Sequence, residues 1–105
     1  MRVLLDHCVP KRLRRVFPQH EVKTAREMGW GGLSNGKLLA EAARSFDVVL
    51  TVDQNIKHQQ NLERLPIPII VLIAADNRFD TLAPLAGKVE AALQILTLQI
   101  LIEIS

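Results

Sequence analysis

Two aspartates follow short apolar runs of this sequence, and their side chains are the ones best placed to do chemistry. Asp6 follows Val3-Leu4-Leu5, and Asp53 follows the apolar run at 48–52. If these runs are neighbouring strands of a parallel sheet, both carboxylates project from its carboxyl edge into one crevice, where open α/β sheets bind their ligands. Two carboxylates in one crevice favour a hard divalent cation with oxygen ligands.

Basic residues are concentrated near the first of these aspartates. The formal net charge of the chain is +2, but residues 1–30 carry +4 and residues 31–105 carry −2. Four of the basic side chains fall on the predicted first helix, just after Asp6: Lys11, Arg12, Arg14 and Arg15. This cluster indicates either a solvated helix face or a surface for nucleic-acid phosphates, since basic residues supply the sequence-independent part of that binding.

The elements that must position these residues alternate between strands and helices. Strands are predicted at 2–5, 21–25, 48–52, 67–74 and 98–104, and helices at 10–17, at 35–46 and from a cap at Asp80 to residue 96. Such alternation predicts a three-layer α/β domain with a parallel sheet and right-handed crossovers. The strand order 2-1-3-4-5 has its switch point between strands one and three, which places Asp6 beside Asp53.

Composition and length narrow the class of protein. The chain has 105 residues, 49% of them hydrophobic and 23% charged, which predicts a single compact soluble domain over residues 1–105. The longest apolar run, 67–75, is about half the length of a membrane span and contains Pro68. No signal peptide is evident, so we expect a cytoplasmic protein without a membrane partner. A single cysteine, Cys8, excludes an intramolecular disulfide and a thiolate zinc site.

The carboxyl-terminal tail predicts assembly. Residues 97–104 are β-prone, apolar and carry only Glu103 as a charge. Natural edge strands of this kind are normally blunted by lysine, proline or a covering element. We therefore expect a homodimer or a heteromer through this edge. The alternative is a monomer whose edge is shielded by a loop or by twist.

Several motifs together resemble the short bacterial PIN-like proteins. They are Leu4-Leu5-Asp6 with Pro10, the segment 24–30 (TAREMGW), the segment 35–39 (NGKLL), the segment 49–55 (VLTVDQN), the segment 59–62 (QQNL) and the pair Asn77-Arg78. The resemblance extends over nearly the whole chain. It implies a reduced PIN-like fold and a Mg²⁺- or Mn²⁺-dependent ribonuclease. It also implies that the chain is the toxin of a toxin–antitoxin pair, with an antitoxin protein as partner.

The resemblance also implies which residues hold the metal. Asp6 matches the family's acid after the first strand, and Asp53 matches the acid or amide of the Thr-x-Asp pattern. Glu27 is a candidate third acid, or a helical surface glutamate. The sequence departs from the family at three positions, since Asn35 and Lys37 stand where acids are frequent and His7 follows Asp6 where Glu is frequent. The acidic cluster of this chain is therefore thinner than that of its relatives.

The expected activity is metal-assisted hydrolysis of RNA. A metal held by Asp6, Asp53 and Glu27 would polarise the phosphate and orient a water for in-line attack. The residues expected to bind substrate are Arg12, Arg15, Lys37, Asn35 and Trp30. Trp30 would stack on an unpaired base, or its ring packs over the glycine loop at 29–32. Asn35 would contact a metal-bound water, or it simply caps a helix.

Two other functions remain open on the sequence. The first is a non-catalytic PIN-like module that binds RNA or protein, which the thinned acidic cluster favours. The second is a receiver-type signalling domain, which shares the strand order and an aspartate after strand three. The receiver reading lacks an acidic pair after strand one and a lysine at the end of strand five.

Overall fold

Five parallel strands form one sheet in the computed structural model, which describes residues 1–96 and 100–105. The strands are β1 (Arg2–Leu5), β2 (Glu21–Thr24), β3 (Val48–Thr51), β4 (Ile69–Leu72) and β5 (Leu101–Ile104). Their order is β2-β1-β3-β4-β5, and every pairing is parallel. The predicted α/β class and strand order are confirmed, while the predicted strand residues at 98 and 99 lie outside the described part of the chain.

The helices are shorter than the sequence pattern predicts. The described residues form the α-helices α1 (Asn35–Ala42), α2 (Ile56–Gln59), α3 (Phe79–Leu82) and α4 (Ala86–Leu93), with 3-10 helices at Lys11–Val16, Leu62–Arg64 and Ala83–Leu85. The predicted last helix is interrupted by a 3-10 turn that contains Pro84, because proline supplies no backbone N–H to a helix. Asp80 does not cap this helix, since Arg78 occupies the cap position of α3.

The sheet is buried on both faces. Its first face packs against the 3-10 helix at Lys11–Val16 and against α3 and α4, and its second face packs against α1 and α2. The buried first-face residues of β1, β3 and β4 are Val3, Leu5, Val48, Leu50, Ile70 and Leu72, and those of the second face are Leu4, Val49, Ile69 and Val71. Central parallel strands covered on two sides explain the continuous apolar runs in the sequence.

One connection between strands has the opposite hand to the other three. The β1–β2 connection moves toward one edge of the sheet over the first face, and the connections through α1 and α2 move toward the other edge over the second face. These three share one hand. The β4–β5 connection moves toward that same other edge, but over the first face, so the expectation that all crossovers are right-handed is wrong.

Burial of the first face accounts for this exception. The 3-10 helix at Lys11–Val16 has only six residues, and Leu13 is its one fully buried side chain. It is too short to cover the first-face residues of β3 and β4. α3 and α4 bury those residues through Leu82, Val89 and Leu93. Among the residues described, no helix is long and apolar enough to cross a membrane.

Candidate functional site

The ends of β1 and β3 bring the two aspartates to the predicted switch point. Leu5 lies opposite Leu50 in the parallel register, and the amide of Asp6 donates to the Leu50 carbonyl at 2.9 Å. Asp6 is therefore held at the carboxyl edge of the sheet by the last rung of the β1–β3 ladder. Asp53 follows β3 by two residues, at the same edge.

Asp6 is not a bare carboxylate. The residue is only 2% exposed. Its Oδ1 atom accepts a hydrogen bond from the backbone N–H of His7 at 2.8 Å and lies at ion-pair distance, 2.9 Å, from Nδ1 of the His7 ring. Its Oδ2 atom accepts from the Thr51 hydroxyl at 2.8 Å. A buried carboxylate needs such donors, and here both oxygens have them.

The hydroxyl of Thr51 connects the two aspartates. Thr51 is fully buried, and its Oγ1 atom donates to Asp6 while accepting the backbone N–H of Asp53 at 3.1 Å. One side chain thus fixes the carboxylate of Asp6 and the backbone of Asp53 at once. The Thr-x-Asp spacing in the sequence is the signal for this contact, although by itself it pointed to Asp53 and not to Thr51.

Asp53 is the more accessible of the two carboxylates. Its Oδ1 atom accepts from the N–H of Asn55 at 2.9 Å, which shapes the turn into α2. Its Oδ2 atom has one long contact, 3.4 Å from Nδ2 of Asn35. The same amide donates to Oε1 of Gln59 at 2.7 Å, so the first residue of α1 and the last of α2 meet beside Asp53. The helix cap position is taken by Ser34, so Asn35 is not the cap.

Glu27 is held by structural contacts on the β2 side of the edge. Its carboxylate accepts from the Thr24 backbone N–H at 2.9 Å and pairs with Arg14 at 2.5 Å, while its own N–H donates to the Thr24 hydroxyl. The backbone hydrogen bond and the Arg14 guanidinium lower the pKa of Glu27 to about 2. Its carboxylate is therefore already paired with a cation of the same chain.

The groups that this edge offers to a metal are the carboxylates of Asp6 and Asp53, with the Asn35 and Gln59 amides beside Asp53. Within residues 1–96 and 100–105, no group of three or more His, Cys, Asp or Glu side chains converges to hold a metal. Mg²⁺ keeps several waters and is bound through one or two carboxylates plus substrate phosphates. Asp53 and the amide oxygens beside it suit this mode, whereas Asp6 would have to exchange a hydrogen bond for the ion.

The expected substrate-binding cations have different surroundings. The Arg12 guanidinium lies 4.8 Å from the centre of the Phe79 ring, which directs it toward α3. Arg15 is exposed and borders a shallow groove formed with Pro10, Lys11, Arg12 and Arg14. Lys37 is exposed in the first turn of α1, two residues after Asn35.

Trp30 packs against the protein itself. Its ring makes an edge-to-face contact with Phe46, with centroids 6.0 Å apart and an interplanar angle of 77°. Phe46 follows the end of α1 that lies away from Asn35. Of the two alternatives for Trp30, these contacts correspond to packing of the ring, with Phe46 as its partner rather than the glycine loop at 29–32. A base-stacking role for Trp30 stays a prediction.

Cys8 lies beside the aspartate–threonine contact. Its Sγ atom is 3.6 Å from the Thr51 hydroxyl and 3.7 Å from Oδ2 of Asp6. Burial raises the pKa of the Cys8 thiol, and the nearby Asp6 charge acts in the same direction. Because the thiolate is the nucleophilic form, this position is unsuited to cysteine chemistry.

A cleft of about 630 Å³ opens beside Asp6 on the side of β2. It is lined by His7, Val9, Pro10, Lys11, Thr24, Arg26, Glu27 and Gly31. Lys11 belongs to the basic cluster for which the sequence predicts a phosphate surface, whereas His7 and Arg26 were not among the predicted binding residues. Only the position of His7 next to Asp6, and of Arg26 next to Glu27, pointed toward them.

Comparison of the chain with protein-family models, with curated proteins and with solved structures gave no match. The resemblance to the PIN-like proteins therefore remains a prediction from the sequence motifs. What the structure itself contributes is the sheet order and the joining of Asp6 to Asp53 through Thr51.

Proposed function

We propose that this protein is a metal-dependent ribonuclease that hydrolyses RNA phosphodiester bonds at the Asp6–Asp53 edge of the sheet, with Mg²⁺ or Mn²⁺ as cofactor. One observation carries the proposal. The buried Thr51 hydroxyl ties both aspartates together at the switch point, where α/β sheets bind ligands. Burying a hydroxyl and a carboxylate at a strand end costs free energy of desolvation, and a ligand site at this position would account for that cost.

Each residue at this edge of the sheet has a separate role in the proposed reaction. Asp53 would hold the ion, and Asp6 would join it after giving up one hydrogen bond. The bound ion would supply Lewis-acid polarisation of the phosphate and a template that orients the water. Thr51 keeps the backbone of Asp53 in register with Asp6. Asn35 orients the Oδ2 side of Asp53.

The basic amino-terminal third supports RNA as the substrate. The +4 charge of residues 1–30 attracts phosphates without regard to sequence. The PIN-like motifs support the finer assignment, a cytoplasmic toxin whose activity is restrained by an antitoxin protein. A heteromer with that antitoxin is the partner that this assignment requires.

Cleavage of mixed RNA tests the activity directly. Purified protein should degrade RNA with Mn²⁺ or Mg²⁺ and not with EDTA, and Asp53→Asn should abolish cleavage while the protein stays folded. Asp53 is only partly buried, and an asparagine can keep its contact with the N–H of Asn55. Equal cleavage by wild type and Asp53→Asn would refute the proposal.

Asp6→Asn requires a folding control. The new amide nitrogen would face a donor from Thr51 or His7, which leaves a buried polar group without an acceptor and costs about 1–3 kcal/mol. Loss of activity in this variant counts only at a temperature where its circular dichroism matches that of the wild type.

A non-catalytic RNA-binding module is the second candidate. The observation in its favour is that Asp6 is 2% exposed and already accepts hydrogen bonds at both oxygens. Calorimetry with Mn²⁺ separates the two functions. A nuclease should bind the ion and lose that binding in Asp53→Asn, whereas the module should bind RNA with no response to Mn²⁺.

A further inference from the structure

The cleft on the β2 side of Asp6 is a separate concave surface with its own charge. Its walls come from the loop after β1, which contains His7 and Lys11, and from the end of β2 and the segment after it, which contains Arg26 and Glu27. Its volume of about 630 Å³ lies within the range of roughly 300–1,000 Å³ that small-ligand sites occupy. A single nucleotide falls in this class of ligand.

The charged groups of the cleft favour an anion. Lys11 and Arg26 are both exposed and both line it. The carboxylate of Glu27 also lines it, but Arg14 balances this charge through the ion pair at 2.5 Å. The positive charge of Lys11 and Arg26 is therefore not neutralised within the cleft, and it is suited to a phosphate group.

His7 adds a directional contact at the Asp6 end of the cleft. Its side chain is 53% exposed, and its Nδ1 atom lies at ion-pair distance, 2.9 Å, from Oδ1 of Asp6. Asp6 is in turn fixed by Thr51. Because Nδ1 faces Asp6, Nε2 is the ring nitrogen that is left for a ligand. A ribose 2′-hydroxyl both donates and accepts, so it can pair with Nε2 in either state of the ring.

We propose that this cleft binds one nucleotide of single-stranded RNA next to the cleavage site, with its phosphate on Lys11 and Arg26 and its ribose 2′-hydroxyl on Nε2 of His7. The proposal rests on the proposed function only for the class of substrate. It replaces Arg12 with Lys11 and Arg26 as the principal phosphate contacts, because the Arg12 guanidinium lies over Phe79. It also makes His7 the residue that distinguishes RNA from DNA.

The phosphate contacts are tested by binding without cleavage. Fluorescence anisotropy in EDTA measures the affinity for a short fluorescein-labelled single-stranded RNA at several salt concentrations. Lys11→Gln and Arg26→Gln should each weaken binding and reduce the salt slope by about 0.7, the value for one phosphate contact on a single strand. Arg44→Gln is the matched control, because it removes the same charge from an exposed position after α1 and should leave the slope unchanged.

The ribose contact is tested with RNA and DNA of the same sequence. His7→Asn keeps a donor for Asp6 but removes Nε2, and it should reduce the preference for RNA by about fivefold, the worth of one hydrogen bond. His7→Ala should give the same loss. An unchanged preference in both variants would overturn the role of His7.

The outcomes separate this inference from the nuclease proposal. If Lys11→Gln and Arg26→Gln bind RNA like Arg44→Gln while Mn²⁺-dependent cleavage persists, the cleft is overturned and the nuclease stands. If no cleavage occurs but the binding and slope changes follow, the cleft stands without the nuclease. Binding of the RNA to no form of the protein would overturn the cleft as well.

Discussion

The hydroxyl of Thr51 lies between two strand ends and serves both of them. It donates to the buried Oδ2 of Asp6 and accepts the N–H of Asp53. Thr51→Val keeps the shape of the side chain but removes the hydrogen bond that the hydroxyl makes to each partner. We expect it to lower the free energy of unfolding by about 1–3 kcal/mol and to abolish RNA cleavage.

Thr51→Ser is the control for this substitution. Serine retains the hydroxyl, so we expect cleavage to persist and the loss of stability to be smaller than for valine. Urea denaturation followed by circular dichroism measures both variants. A Thr51→Val protein as active and as stable as wild type would show that the contact has no role.

Glu27 predicts a pH dependence of stability. Its pKa falls from 4.5 to about 2 in the folded protein, chiefly through the Thr24 N–H and then through Arg14. A depressed pKa stabilises the fold above the unfolded value, near pH 4.5, and the stabilisation disappears as the pH falls toward 2. Wild type should therefore exceed Glu27→Gln in stability at pH 6, and the difference should shrink between pH 4.5 and pH 2.

Thermal denaturation of both proteins across this pH range measures the effect. Glutamine keeps an acceptor for the Thr24 N–H but loses the charge that pairs with Arg14. Arg14→Gln should reproduce part of the loss. A stability difference independent of pH would mean that Glu27 acts through its shape alone.

For single residues, the sequence predicts where a side chain lies in the fold better than it predicts which groups that side chain contacts. An aspartate after each apolar run was enough to place Asp6 and Asp53 at one edge of the sheet. Burial of Asp6 was not predictable, because it depends on a hydroxyl from β3, a neighbouring strand, and on the His7 ring. The partner of Glu27 was hidden for the same reason, since Arg14 approaches it from the 3-10 helix before β2.

The first turn of α1 faces the proposed metal site and contains no acid. Asn35 contacts Asp53, and Lys37, two residues further along the same turn, is exposed. Lys37→Glu should tighten Mn²⁺ binding by roughly threefold to tenfold, since it replaces a repulsive charge near the ion with an attractive one. It should also suit the positive end of the helix dipole.

Calorimetric titration with Mn²⁺ measures this change. Arg44→Glu makes the same change of charge beyond the other end of α1 and should leave the affinity unaltered. Equal affinities for Lys37→Glu and wild type would identify Lys37 as a solvated helix position only.

Element types were more predictable than element ends. Apolar periodicity located all five strands and α1, because these segments carry the core of the protein. α2 was missed because it has only four residues, of which Ile56 alone is buried. The start of α3 was misplaced because Asp76, not Asp80, bonds to the N–H of Arg78. Hydrogen bonds from Thr81 and from that N–H lower the pKa of Asp76.

The edge strand β5 determines how whole molecules can associate. β5 pairs with β4 alone, and the carbonyls of Ile100 and Ile104 accept from the N–H groups of Ile69 in β4 and of Ile73 directly after it. The intervening residues Leu101 and Glu103 therefore direct their backbone groups to the free side. Glu103 pairs with Lys57 at 3.1 Å and is the one charge on this strand. We expect pairing of two β5 edges to give a homodimer.

Sedimentation equilibrium at micromolar concentration should then show a species heavier than the 11.8 kDa monomer. Glu103→Pro removes an outward N–H without touching the β4 ladder and should dissociate it. Glu103→Ala removes the ion pair but keeps the N–H, so it should remain dimeric. A wild-type monomer at every concentration would exclude this edge as a self-association surface.

The sheet order was predictable from the alternation of elements, but the path of the β4–β5 connection was not. Right-handed crossovers are the strong statistical rule, and nothing in the sequence of α3 and α4 signals a departure from it. The exception arises from the whole molecule, since the six-residue 3-10 helix leaves much of the first face to be covered. Only the packing of all elements together shows which face needs a helix.

The parallel pairing of β1 with β3 has a consequence for folding kinetics. Val3 pairs with Val48, a larger separation along the chain than that of any other strand pair, such as Arg2 with Glu21 or Ile69 with Leu101. Contacts between distant segments close large loops and slow the search for the native state. The bond between Asp6 and Thr51 belongs to this pairing, so a partly folded chain has no assembled site. The proposed site therefore assembles only once β1 has paired with β3.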